Sequence, residues 1–119
     1  MSKNITNLIL SIEVKTPDGY KILGTKSILY VEAVRKCSIV HLNNNDIIIT
    51  YHLLKWYDQH LLKPYFFRCH NSYLVNCQFI DTYSRTEIIL ESKTRIPLSK
   101  RNNGAFKINL QDFIKQLSE

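Results

Sequence analysis

Long apolar runs are missing from this 119-residue sequence. Its uncharged hydrophobic stretches last only a few residues, far short of the ~20 that a helix needs to cross a bilayer. The first ten residues are interrupted by Lys3, Asn4, Thr6 and Asn7, so no secretory signal is read there and a cytoplasmic location is expected. Cysteine is scarce: Cys37, Cys69 and Cys77 are an odd number at unrelated spacings, which fits a reducing compartment rather than a disulfide framework. Glycine and proline number three each, too few for collagen-like repeats or a low-complexity linker.

Spacings that carry enzyme or metal chemistry are missing too. Four histidines (His41, His52, His60, His70) and the three cysteines form no C-x2-C and no H-x3-5-H pair; His52 and His60, eight apart, share at best one helix face. Cys69 and His70 are adjacent, and neighbours on an extended segment point to opposite faces, so they make no nucleophile and base pair. Glycine-rich phosphate loops and clustered carboxylates are absent. No catalytic residue, metal ligand or cofactor is assigned, and a non-enzyme is expected. Cys69 reads as a small buried residue, although Arg68 and His70 beside it leave it a candidate redox-sensitive thiol through a lowered pKa.

What is present is an ordinary globular composition with an uneven charge. Hydrophobic residues make up 45% and charged residues 22%, so the chain can build a core, and its length suits one domain over residues 1–119. Sixteen Lys and Arg against ten Asp and Glu leave a net charge of +6, which favours an anionic partner, nucleic acid ahead of a membrane surface. The surplus lies at the ends: residues 31–92 balance, whereas residues 93–119 carry six bases against two acids. Five bases and no acid fall between Lys93 and Lys107.

Strand signals dominate. Leu8, Leu10, Ile12 and Val14 alternate with polar or outward positions, Pro17-Asp18-Gly19 makes a turn, and Tyr20–Leu23 returns. Ile28–Val34 runs into a polar loop at Arg35-Lys36-Cys37-Ser38; Ser38–Leu42, a turn at Asn43-Asn44-Asn45-Asp46, and Ile47–Tyr51 follow. Leu53, Leu54, Tyr57 and Leu61 mark one face of a short helix ended by Pro64. Phe66–His70 and Tyr73–Val75 are short extended pieces around Asn71-Ser72, and strands return at Phe79–Tyr83, Glu87–Glu91 and Thr94–Leu98. Phe106, Leu110, Phe113, Ile114 and Leu117 repeat at helical spacing, with Ser99 or Asn103 as cap and Gly104 as a break after a first turn. About eight strands and two helices predict a mainly β domain. A helix-turn-helix is disfavoured, because that motif needs two adjacent helices.

Three polar and basic clusters sit at strand ends: Arg35-Lys36-Cys37-Ser38, Arg68 with His70-Asn71-Ser72, and Lys100-Arg101-Asn102-Asn103. Each joins a long cation, suited to phosphate or to guanine O6/N7, to an amide or hydroxyl, and Asn71 can pair with adenine N6/N7. On one edge they would read DNA without a recognition helix; a solvated basic face is the alternative. Two further readings stay open. One is a single-stranded nucleic-acid module that stacks bases on exposed aromatics. The other is a protein-interaction module that docks through the Phe106–Leu117 helix.

Three signatures in order sharpen this. Ile28-Leu29-Tyr30-Val31-Glu32-Ala33, then Phe66-Phe67-Arg68-Cys69-His70-Asn71-Ser72-Tyr73-Leu74-Val75-Asn76, then Ile96-Pro97-Leu98-Ser99-Lys100-Arg101 resemble the LytTR DNA-binding domain of bacterial transcription regulators. The likeness runs from about residue 8 to 117. It implies an elongated arrangement of small antiparallel sheets with one short internal helix and a C-terminal helix, whose loops enter successive major grooves and bend the DNA. Carried over by position, it implies base contacts from Lys36, Ser38, Asn71 and Arg101, and phosphate or supporting roles for Arg35, Arg68, His70, Ser72, Lys100 and Asn102. Glu32, Tyr73, Val75 and Asn76 would hold the strands that aim the loops, with Val75 in the core. It further implies two copies on a direct repeat in double-stranded DNA, from a monomer or weak dimer, with RNA polymerase as another candidate partner. Members commonly carry a phosphorylatable receiver in front, as two-component response regulators do. Here few residues precede the first strand and no acidic pocket is read, so a stand-alone regulator or the effector half of a longer one is expected.

Overall fold

A computed structural model describes residues 10–118. The hairpin of β1 (Ser11–Thr16) and β2 (Gly19–Gly24) comes first. Then follow β3 (Ile28–Val34), β4 (Cys37–Leu42), β5 (Ile47–Thr50), α1 (Leu54–His60), β6 (Phe66–His70) and β7 (Tyr73–Asn76). The chain ends with β8 (Ile80–Tyr83), β9 (Glu87–Leu90), β10 (Arg95–Pro97) and α2 (Asn103–Leu117). All pairing is antiparallel, in sheets ordered β1-β2, β5-β4-β3-β7-β6 and β10-β9-β8. This is the mainly β arrangement of small sheets with an internal and a C-terminal helix. It measures 39 × 39 × 24 Å. Among the described residues no helix is long and apolar enough to cross a membrane.

The period-two signal of the first strand holds in part. Ile12 and Val14 are buried while Ser11, Glu13 and Lys15 are exposed, but Leu10 precedes the strand and is exposed, and Leu8 lies outside the described residues. Gly19 closes the hairpin at φ 123°, a conformation open to a residue without Cβ.

The segments read as mere extended pieces, β6 and β7, are full strands, and β7 lies inside the five-stranded sheet. Their signal was weak because a strand buried on both faces shows no alternation. Successive residues Leu74 and Val75 are both fully buried and enter different cores. The first core joins Val31, Val40 and Leu74 to the β1-β2 hairpin and to Leu54, Tyr57 and Leu61 of α1. The second joins Leu29, Phe67 and Val75 to Ile88, Leu90, Ile96 and Leu98 and to Phe106 and Phe113 of α2. Each such side chain contributes about 1.5–3 kcal/mol on burial, so the two cores clamp the sheet from both sides.

Both helices depart in detail from the pattern in the sequence. Leu53 is the exposed residue before α1, not part of its buried face. Trp56 is half-buried and stacks between His52 and His60, with ring centroids 3.7 Å and 4.1 Å away. In α2, Phe106 and Phe113 are buried and Leu110 is half-buried, but Ile114 and Leu117 are exposed. Gly104 lies within α2 and does not break it; the change of helix type falls one residue earlier, after a 3-10 turn at Lys100–Asn102. Ser99 does stand at the N-cap of that 3-10 turn but makes no side-chain cap bond, and Asn103 instead donates from Nδ2 to the Arg85 carbonyl at 2.9 Å.

Candidate nucleic-acid interface

The first cluster is tighter than the four-residue loop read from the sequence. Val34 pairs with Cys37 across the β3–β4 hairpin, leaving Arg35 and Lys36 as a two-residue turn with exposed side chains. Arg35 stands at φ 57°, in the left-handed region that costs an L-residue roughly 1–2 kcal/mol. Ser38 is already one residue into β4, facing inward with Val40; it is completely buried and its hydroxyl has no hydrogen-bond partner among the described residues. The base contact expected of Ser38 is therefore corrected. Strand alternation turns its side chain into the first core, away from solvent.

The second cluster is the Asn71-Ser72 turn between β6 and β7, which follows an irregularity in pairing between Arg68 and His70. Arg68 donates from Nη2 to the Asn71 carbonyl at 2.9 Å. The Ser72 amide donates to Nδ1 of His70 at 3.0 Å, and the Ala33 amide donates to the Ser72 carbonyl at 2.8 Å. His70 thus carries its proton on Nε2 when neutral. Asn71 is exposed, and no hydrogen bond engages its side-chain amide among the described residues. Cys69 between them faces the second core and is fully buried. Burial pushes its thiol up to about 12, so the lowered pKa and redox sensitivity expected from its neighbours are corrected. The Arg68 guanidinium serves the Asn71 carbonyl and not the sulfur.

The third cluster is the 3-10 turn Lys100–Asn102, with Lys100 and Arg101 exposed. Two bonds hold it against β6: the Ser99 amide donates to the Cys69 carbonyl at 2.9 Å, and Asn102 Nδ2 donates to the Arg68 carbonyl at 3.4 Å. Asn102 is thereby turned inward. The bond from Asn103 also brings in a cation that sequence reasoning missed, Arg85, in the exposed β8–β9 turn. Its only sequence signal was a base in a Ser-Arg-Thr turn.

These bonds bring the clusters to one end of the five-stranded sheet, where β3 and β6 finish and β4 and β7 begin. Lys36, Asn71 and Arg101 are all exposed there. The described residues hold two ion pairs, Glu32 with His41 and Glu87 with Arg95, and neither involves Arg35, Lys36, Arg68, Arg85, Lys100 or Arg101. Glu32, the one carboxylate in the β3 signature, is occupied by His41 Nε2 at 2.9 Å and by the Tyr73 hydroxyl, which donates at 3.4 Å. Tyr30 stacks on His41 with centroids 4.1 Å apart. Burial, and then the Glu32 charge, hold the Tyr30 and Tyr73 phenols above their ordinary range. Val75 is fully buried, and Asn76, 2% exposed, donates to the Ile28 carbonyl at 2.8 Å. Both do hold strands. Among the described residues the arrangement offers cations without acid partners, mounted on short turns around an amide that no hydrogen bond engages, which is chemistry suited to a polyanion. A groove of about 1090 Å³ between β2 and β5 shares no residue with it.

No curated protein matches the chain. A solved structure described as the LytTr DNA-binding domain of a methyl-accepting/DNA response regulator from Bacillus cereus superposes with a TM-score of 0.73 at 24% identity. That match covers 87% of this chain and 98% of the other, and it establishes the fold. The family model of the LytTr DNA-binding domain matches residues 18–111, so the chain belongs to the LytTR DNA-binding domain family.

Proposed function

We propose that this chain binds double-stranded DNA in a sequence-specific manner, its turns entering successive major grooves, and regulates bacterial transcription from the cytoplasm as the output part of a two-component system. The observation that carries the reading is the gathering of three exposed polar and basic turns at one sheet end, each fixed by main-chain hydrogen bonds and none neutralised by an ion pair among the described residues. Lys36, Asn71 and Arg101 read base edges; Arg35, Arg85 and Lys100 neutralise phosphates and release counterions. Two copies occupy a direct repeat, and contact with RNA polymerase follows at the promoter.

The two other readings find less support. Exposed Tyr20 and Tyr83 lie in different sheets, on β2 and β8, and Tyr51 lies just past β5, so the three are not gathered on one sheet face. The helix offered to a partner spends Phe106 and Phe113 on the chain's own second core.

Selection of duplexes from a random pool, followed by titration of Arg101→Ala, tests the proposal. The variant is expected to lose discrimination by about 1–3 kcal/mol at one base position with its melting temperature unchanged. Equal weakening on selected and random DNA would reassign Arg101 to a phosphate, and preference for single strands would overturn the reading.

A further inference from the structure

We infer that Arg68 is a positioning residue for Asn71 and not a phosphate contact, an inference that rests on the DNA-reading proposed above. Its guanidinium turns back across the β6–β7 turn and donates to the Asn71 carbonyl at 2.9 Å. A cationic donor on a carbonyl makes a stronger hydrogen bond than a neutral one. The next residue is fixed on both main-chain groups, its amide by His70 at 3.0 Å and its carbonyl by Ala33 at 2.8 Å. The main chain on each side of the Asn71 side chain is therefore held, while the exposed amide itself has no partner among the described residues. An amide that must meet two edge atoms of one base gains from such a frame, because only its own two side-chain torsions remain to be ordered on binding. The frame also reaches the third cluster. The Arg68 carbonyl accepts from Asn102 at 3.4 Å, so the residue that clamps Asn71 is tied to the turn that carries Arg101. The spacing between the second and third readers is set through β6 rather than through flexible loops.

The test compares Arg68→Lys, Arg68→Met and Asn71→Ala on the duplex that wild-type protein selects from a random pool and on a random duplex of equal length, each across a salt series. Arg68→Lys keeps the charge but shortens the donor and loses its fork. If Arg68 positions Asn71, Arg68→Lys loses about tenfold on the selected duplex, nothing on the random one, and keeps the wild-type salt slope. Its loss does not add to that of Asn71→Ala, since both act on one base. The proposal is overturned if Arg68→Lys behaves as wild type while Arg68→Met weakens both duplexes equally and lowers the slope by about 0.9, the mark of one phosphate. It is overturned as well if both Arg68 variants, folded by their melting curves, bind as wild type does. A wild-type protein with no preference between the duplexes overturns the DNA-reading itself, and the positioning role with it.

Discussion

Replacing Ser38 by alanine should make the protein more stable and leave its DNA affinity alone. Ser38 is completely buried, and its hydroxyl has no hydrogen-bond partner among the described residues. A buried polar group left unsatisfied costs about 1–3 kcal/mol, and alanine removes that group while keeping the backbone pairing of β4 with Ala33 and Thr50. The Thr50 hydroxyl, which donates to the Ser38 carbonyl at 3.2 Å, keeps its partner. Against this stands the small void left by one oxygen. At about 24 cal/mol per Å³ of cavity, it offsets only a few tenths of a kcal/mol. The net gain expected is about 1 kcal/mol, or ~3–6 °C in melting temperature for a domain of this size. Far-UV circular dichroism against temperature measures it, with urea unfolding as a second estimate, and titration of the selected duplex runs in parallel. A variant destabilised by 1 kcal/mol or more would refute the burial argument. A variant of unchanged stability that no longer discriminates between duplexes would put the hydroxyl back at the base edge.

Asn76→Leu should destabilise the fold by roughly 1–4 kcal/mol in urea unfolding, because it strands the buried Ile28 carbonyl, at about 1–3 kcal/mol, and takes the acceptor from the part-buried Gln78 amide; these are now bonded at 2.8 Å and 2.9 Å. A loss under 1 kcal/mol would show that those groups find other partners. Among the thiols, Cys37 is half-buried whereas Cys69 and Cys77 are fully enclosed. A thiol reagent on native protein at neutral pH should therefore modify Cys37 alone, and early modification of Cys69 would contradict its place in the second core. Burial raises Cys69 and Cys77 from 9.0 to about 12. With folded pKa values above unfolded ones, their contribution to stability is complete below pH 9 and is lost as pH rises toward about 12. Unfolding free energy measured from pH 8 upward should fall across that window, less steeply in Cys69→Ala. A flat profile in wild type would sink the assignment.

The sequence by itself determined the elements and most of the chemistry. Period-two alternation, turn residues and two helical stripes are local properties, and they placed the hairpins, both helices and the three polar clusters near their observed positions. What the tertiary structure decided is which atoms of those clusters face solvent. The β3–β4 turn ends at Lys36, two residues before the end of the loop read from the sequence, so Ser38 lies inside β4 on the face that alternation turns into the core. The central place of β7 was hidden because both of its faces are buried, which erases the alternation that marks a strand. Arg85 comes beside the third cluster, and Arg68 reaches the Asn71 carbonyl, only through hydrogen bonds between segments distant in the chain or across a turn. Such bonds depend on where the backbone returns in space. Residue order specifies that only through the packing of the two cores around one sheet.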